Sequence, residues 1–247
     1  MAKTFHHHEG LYSDSSAEII VPLLIELFNP KSVVDVGCGI ANFLKIFSKN
    51  NIENIKGLDG VWVDLSKLAA NIPVEKFQKI DLEREFDQFA QENVKKYDLV
   101  ISLEVAEHLS AEYSKNFVKS LCALSDTIVF SAAIPLQGGQ FHVNEQWQSY
   151  WIKIFNEMGY VCHDKIRKLI WQEPNVHWWY RQNIFHFTKS DRESVEWSDN
   201  NFTFPTDIVH PAHFTEKATW INDIETGNIS WRFVYHHFKN IIKRKLK

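Results

Sequence analysis

Apolar residues along the chain fall into short continuous runs that stop at turn formers, and between the runs the apolar spacing changes to three and four. Ser32 to Val36 is one such run, halted by Gly37-Cys38-Gly39, and it reads as a buried strand. Ala41 to Asn50 follows as a helix with Phe43, Leu44, Ile46 and Phe47 on its apolar face. The alternation then repeats. Ile55 to Leu58 predicts a second strand ending at Asp59-Gly60, Leu65 to Ala70 a short helix, and Phe77 to Ile80 a third strand ending at Asp81-Leu82. Glu85 to Asn93 predicts a polar helix and Tyr97 to Leu103 a fourth strand, with a helix from about Val105. Ser114 to Leu124 is helical and Thr127 to Ala133 a fifth strand. Ahead of all these, Ser15 or Ser16 is placed to cap a helix through Leu27, which Pro22 should bend or restart.

Strands alternating with helices in this way imply a mostly parallel sheet with helices on both faces and right-handed crossovers. Farther on, Glu145 to Met158 predicts a helix stopped by Gly159. Tyr160 to Trp171 and Asn183 to Thr188 predict two more strands that could close the sheet as an antiparallel pair, making seven in all. The expected fold is therefore α/β and Rossmann-like over residues 1–190, with residues 191–247 as a C-terminal extension. In that extension Asp191 to Asn201 is polar and loop-like, and Ile229 to Leu246 is an amphipathic helix with Phe233, Val234, Phe238, Ile241 and Ile242 on one side.

Composition changes this picture little. A chain of 247 residues with 45% hydrophobic and 23% charged residues supports a sizeable core. A net charge of −4 argues against a nucleic-acid-coating protein, and no basic stripe suggests an RNA substrate. Cys38, Cys122 and Cys162 are far apart and fit no disulfide or metal framework, which points to a reducing, cytoplasmic setting. No stretch is apolar enough for a transmembrane segment, and no signal-peptide pattern is seen. The basic end of the last helix could lie on anionic membrane. The modest apolar stripe and acidic total charge favour docking on the domain, or on a second subunit in a homo-oligomer.

The chemistry begins at Asp35-Val36-Gly37-Cys38-Gly39. Glycines after a first strand let backbone approach a ligand, and α/β sheets bind nucleotides there. Asp59 lies about 20 residues on, where a carboxylate can accept from ribose hydroxyls, and Asp81 ends the third strand beside an adenine position. Asp35 places negative charge at the turn and Ala41 stands at the next alternate position, a poor setting for pyrophosphate and a good one for a cationic sulfonium with a free amino group.

These residues, with Leu103-Glu104-Val105-Ala106-Glu107-His108-Leu109, resemble a class I S-adenosylmethionine-dependent methyltransferase over roughly residues 15–190. The resemblance implies that the glycine loop Asp35 to Gly39, with Gly37 and Gly39, holds the amino-acid part of the cofactor, that Glu104 is a further cofactor-binding residue, and that Asp59 holds the ribose hydroxyls. It implies that Asp81 meets the adenine amino group beside Leu82, and that Gly60, Val61 and Trp62 wall the ring. Ala41 departs from the glycine common in the family.

Phe130 to Pro135, Gln137-Gly138-Gly139, His142-Val143-Asn144-Glu145-Gln146-Trp147 and Trp179-Tyr180-Arg181-Gln182-Asn183 resemble a bacterial subgroup associated with surface-glycan and nucleotide-sugar pathways, with Leu136 where glycine is expected. Glu104, Glu107 and His108 share one face if they lie on a helix, and His142 follows the neighbouring strand. Together they form a candidate Mg²⁺ or Mn²⁺ site, similar to the Glu-x-x-Glu-His plus His sets of small-RNA 2′-O-methyltransferases and of ubiquinone-biosynthesis O-methyltransferases. Alternatively Glu107 and His108 cap or salt-bridge a helix, and His142 caps the helix near Asn144. Without a metal, His108 or His142 would take the acceptor proton as general base, with Glu107 beside them. Trp147, Tyr150 and Trp151 share helical spacing and read as core, or as a sugar-stacking surface with Trp178, Trp179 and Tyr180. Arg167 and Arg181 could meet an acceptor phosphate or carboxylate, or pair with surface acids.

The expected activity is O-methylation of a small polar acceptor: a sugar, nucleotide-sugar or other surface-glycan precursor. Its rivals are methylation of another small acid, amine or phosphate-bearing metabolite, and a non-catalytic nucleotide-binding protein.

Overall fold

In a computed structural model the described residues are 14–190 and 206–245. Helix α1 (Ser15–Phe28) leads into β1 (Ser32–Val36), α2 (Asn42–Lys49), β2 (Asn54–Asp59), α3 (Leu65–Ala69), β3 (Phe77–Lys79), α4 (Phe86–Glu92) and β4 (Leu99–Leu103). Then come α5 (Ser114–Leu124), β5 (Thr127–Ser131), α6 (Gln148–Glu157), β6 (Tyr160–His163), α7 (Lys165–Ile170), α8 (Trp178–Asn183) and β7 (Phe185–Lys189). The seven strands lie in the order β3-β2-β1-β4-β5-β7-β6. The first five are parallel, and β7 runs antiparallel to β5 and β6. This is the expected Rossmann-like sheet.

Alternation along β1 explains the two-sided core. Val34 and Val36 face a layer built from Phe86, Phe117, Leu121 and Phe155, whereas Val33 faces Ile20, Leu24, Leu44 and Phe47. A strand buried on both faces reads as a continuous apolar run, the pattern from which it was expected.

Four local expectations need correction. First, α1 does not restart at Pro22 but runs through it, with Ile20, Val21 and Leu24 buried against the loss of one backbone donor. Asp14 occupies its N-cap position, and Ser16 Oγ instead accepts from the amide of His177 at 3.0 Å. Second, no α-helix starts at Val105. Two 3₁₀ turns, Ala106–His108 and Ala111–Tyr113, lead into α5. Third, the strand from Tyr160 stops at His163, and Lys165–Ile170 coils into α7 so that Ile166, Arg167 and Ile170 are buried. Fourth, α8 forms where no helix was expected, directly ahead of β7.

Residues 191–201, expected as a polar loop, lie outside the described set. Contacts divide the chain after Ile208, later than the expected boundary at 190. Residues 206–208 belong with the sheet: Arg167 donates to the Thr206 carbonyl at 3.2 Å, and Asp207 accepts from the Ser149 hydroxyl at 2.7 Å. The second unit holds α9 (Pro211–Glu225), which was not expected, and α10 (Trp231–Lys245), which was. Within it the Trp220 ring packs on Phe233, with centroids 5.2 Å apart.

Candidate active site

The carboxyl ends of β1, β2 and β3 carry the first group. Gly37 and Gly39 have φ of 85° and 52°, and the Gly37 and Cys38 amides donate to the Leu58 carbonyl at 2.7 and 3.1 Å. This fixes the glycine turn against the end of β2. Asp59 Oδ2 accepts from the Gly39 amide at 2.7 Å and Oδ1 from the Gly60 amide at 2.6 Å. Burial pushes the Asp59 carboxyl up, and hydrogen bonds from Gly39, Gly60 and the Trp62 side chain oppose part of that rise. The Trp62 ring lies over Gly60, where an added Cβ would come within 2.3 Å of it. Asp35 is buried nearby and its carboxyl is pushed well up, first by burial and then by the charge of Asp59. Asp35, Gly37, Gly39, Asp59, Gly60 and Trp62 therefore converge. Asp81 is exposed at the next strand end, where its Oδ1 accepts from the Glu83 and Arg84 amides at 2.9 and 3.2 Å, and Leu82 is buried beside it.

Two departures from glycine acquire a physical reading. Ala41, at the start of α2, has φ of 66°, and Leu136 has φ of 67°. Both residues adopt the left-handed conformation that glycine adopts at little cost.

At the end of β4 the chain turns through Glu104, which is also left-handed at φ 56°. That turn separates Glu104 from Glu107 and His108. The ligand atoms of Glu107, His108 and His142 all lie within 4.8 Å of one another, and Glu104 is outside this set. Its Oε2 accepts from Gln137 Nε2 at 2.8 Å, and Asn183 Nδ2 reaches its two oxygens at 3.2 and 3.3 Å. Burial lifts the Glu104 carboxyl to about 7 against hydrogen bonds from Gln137, Ser131 and Asn183. The expected four-residue metal set thus becomes a set of three, because the one-face argument required an α-helix that the turn at Glu104 prevents.

Glu107 is fully buried, and both its carboxylate oxygens lack a hydrogen-bond partner of good geometry. Burial and then the charge of Glu104 push it well up, with weaker opposition from the amides of Glu107 and Ala133. Among the described residues it makes no salt bridge. The Glu107 carbonyl accepts from the amides of Val143 and Asn144 at 2.9 and 3.0 Å. These two bonds bring the loop after β5 to the turn after β4, and with it His142, whose ring meets that of His108 edge-on at 4.8 Å between centroids.

His142 caps no helix, since α6 starts only at Gln148. Its Nδ1 lies 2.8 Å from Glu145 Oε1, so Nδ1–H can donate there and leave Nε2 with a free lone pair. Glu145 also accepts from the Leu136 and Gly138 amides, each at 2.7 Å. Burial would raise the Glu145 carboxyl, but bonds from His142, Gly138 and Leu136 bring it below its ordinary value. Glu145, Gln137 and Asn183 stood in the sequence motifs, but their roles in orienting His142 and holding Glu104 were not assigned from sequence. The visible signal for Glu145 is its position three residues after His142.

The described sheet unit matches a known protein family at this point. A family model for the methyltransferase domain matches residues 6–202. The chain belongs to the methyltransferase-domain family. As a methyltransferase it is an enzyme, not a bare nucleotide-binding scaffold. DesVI of Streptomyces venezuelae is similar in fold at TM-score 0.53 and 12% identity, covering 72% of this methyltransferase and 92% of that chain. Magnesium protoporphyrin IX methyltransferase of Synechocystis PCC 6803, solved with SAH bound, matches at 0.50 and 16% identity, covering 77% and 90%. A SAM-dependent methyltransferase of Archaeoglobus fulgidus matches at 0.50 and 15%, covering 74% and 100%. No curated protein matches this methyltransferase in sequence.

The remaining candidates divide. Arg167 is fully buried, with Nε and Nη2 on Asp164 at 2.7 Å each and its guanidinium 4.3 Å from the Phe185 ring centre. It holds the fold and is not available to an acceptor. Arg181 donates to the Trp171 carbonyl at 3.4 Å. Trp151 is core against Phe130, Trp147 is exposed, and Tyr180 meets Phe43 of α2 edge-on at 5.7 Å.

Proposed function

We propose that this methyltransferase transfers the methyl group of S-adenosylmethionine to a hydroxyl of a small polar acceptor of the sugar, nucleotide-sugar or surface-glycan-precursor class. The observation that carries the reading is Glu107: a fully buried carboxyl with no hydrogen-bond partner of good geometry, facing two imidazoles, one of them oriented by a second carboxylate. An unpaired buried carboxylate is costly, and a divalent cation or a hydroxyl acceptor is the kind of partner that removes the cost.

The donor half supports the cofactor assignment. Asp35 and Asp59 offer buried acidity to a ligand with a cationic sulfonium and free amino group, and Asp59 lies where ribose hydroxyls would be accepted. Bringing a cation to Asp35 would offset the burial that disfavours its charge. Glu104 joins the donor half to the acceptor loops through Gln137 and Asn183, and Trp62 over Gly60 is placed to wall an adenine.

Glu107, His108 and His142 fit a divalent ion, with Glu145 orienting His142 from behind. Two imidazoles and one carboxylate suit Mn²⁺ better than Mg²⁺, which prefers oxygen. When bound, such an ion supplies polarisation of the acceptor oxygen and lowers its pKa. With or without the ion the chain's own residues hold acceptor and donor in line; without it, His108 or His142 receives the hydroxyl proton. The rival reading, a phosphate-bearing or amine acceptor, keeps the same donor half.

The test is release of S-adenosylhomocysteine from candidate nucleotide sugars, before and after exhaustive chelation, with cofactor affinity followed by calorimetry. Loss of turnover with unchanged cofactor affinity supports the ion. Full activity after chelation removes it, and full activity of both His108→Ala and His142→Ala removes the site.

A further inference from the structure

The second unit carries a surface that the methyl transfer does not use. In α10, Trp231, Val234, Tyr235, Phe238 and Ile242 follow a spacing of three, four and seven along one helical face, and all are exposed, Trp231 at 87% and Phe238 at 61%. The face that meets the hairpin partner is a different one: Phe233 and His237 pack on Trp220 of α9, with centroids 5.2 and 6.1 Å apart. A third flank carries Arg232, Lys239 and Lys243 at positions two, nine and thirteen of the helix. From Trp231 onward the sequence adds Arg244, Lys245 and Lys247 and contains no Asp or Glu, although the whole chain has net charge −4.

We propose that α10 seats the enzyme on an anionic lipid surface, with its apolar face in the headgroup region and its basic flank on the phosphates. Charge complementarity selects the occupant. A second copy of α10 would bring like charges together, whereas an anionic bilayer neutralises every cation on the helix. The apolar arc, with a Trp and a Tyr in it, selects lipid over a soluble polyanion, which would need the cations alone. None of the helices among the described residues is long and apolar enough to cross a membrane, so the helix lies along the surface. Sequence alone favoured docking on protein; within the hairpin, Trp231, Val234, Tyr235, Phe238 and Ile242 stay exposed.

The test is co-sedimentation of the full chain with vesicles of neutral phosphatidylcholine, and with the same vesicles containing about one-third phosphatidylglycerol, at physiological salt and above. The expected result is binding to the anionic vesicles alone, weakened by added salt. Binding should fall at least tenfold in Trp231→Ser/Phe238→Ser and in Lys239→Glu/Lys243→Glu, both of which alter exposed side chains and leave cofactor affinity unchanged. Equal sedimentation with both vesicle types, or binding unaffected by either pair, overturns the proposal. So does a concentration-dependent dimer that both pairs abolish, or RNA binding that survives the apolar pair at the affinity seen for vesicles.

Discussion

The imidazole of His142 lies against the backbone of Gly139, so that a Cβ at Gly139 would come within 2.2 Å of Nε2. No side chain fits there without moving the ring. Gly139→Ala should therefore swing His142 away from Glu107 and lower kcat at least tenfold, about 1.4 kcal/mol of transition-state stabilisation. Cofactor affinity should be unchanged. Steady-state kinetics beside calorimetry reads both numbers, and unchanged kcat would show that His142 does not depend on this contact.

Asp59 gives the complementary experiment on the donor half. Asp59→Ala removes the acceptor for the Gly39 and Gly60 amides and the group proposed to hold the ribose. Cofactor affinity should drop by about 1–3 kcal/mol. Calorimetric titration with S-adenosylhomocysteine measures this, and a parallel titration with NAD should show no heat.

Leu136 tests the strain argument. It is 84% exposed and left-handed, so its side chain gives up little on removal. Leu136→Gly relieves about 1–2 kcal/mol of backbone strain and costs somewhat less in unfolded-chain entropy. A net gain of about 0.5–1 kcal/mol in chemical denaturation is expected, and a loss of stability would mean that the leucine side chain holds the loop.

A pH effect follows from the far edge of the sheet. His163 and His186, paired across β6 and β7, stack at 4.7 Å, with Phe28 edge-on to His186. Burial, then the charges of His163 and Lys165, lowers His186 from 6.5 to about 4. The unfolded chain takes up a proton that the folded one refuses, so this contribution is fully present above pH 6.5 and is lost as pH falls toward 4. The loss is at most about 3 kcal/mol. Urea denaturation across this range should show the wild type weakening with acid and His186→Phe weakening less. Equal slopes would sink the idea.

The central strands β1, β4 and β5 were legible because they are buried almost throughout and read as continuous apolar runs, and β1 and β2 also stop at turn formers, at Val36-Gly37 and Asp59-Gly60. Asp35 and Asp59 lie at the carboxyl ends of β1 and β2, and Glu107, His108 and His142 lie in the connections that follow β4 and β5. What sequence could not show is backbone sign. Nothing in the letters says that Glu104 turns left-handed, yet that turn takes it out of the metal set and gives it to Gln137 and Asn183. Asn183 itself reaches the site because β7 runs antiparallel to β5, pairing Phe185 with Phe130 and bringing the start of β7 to the end of β5. The pattern also misread Lys165–Ile170, where a buried arginine, satisfied by Asp164, occupies a place that periodicity assigns to an apolar residue.

The carbonyl of Glu107, shared by the amides of Val143 and Asn144, has a kinetic consequence. The loop bearing His142 is fastened at the residue it faces, so an acceptor cannot enter by parting the two. Hydrogen–deuterium exchange should then show Val143 and Asn144 exchanging on the slow timescale of β4.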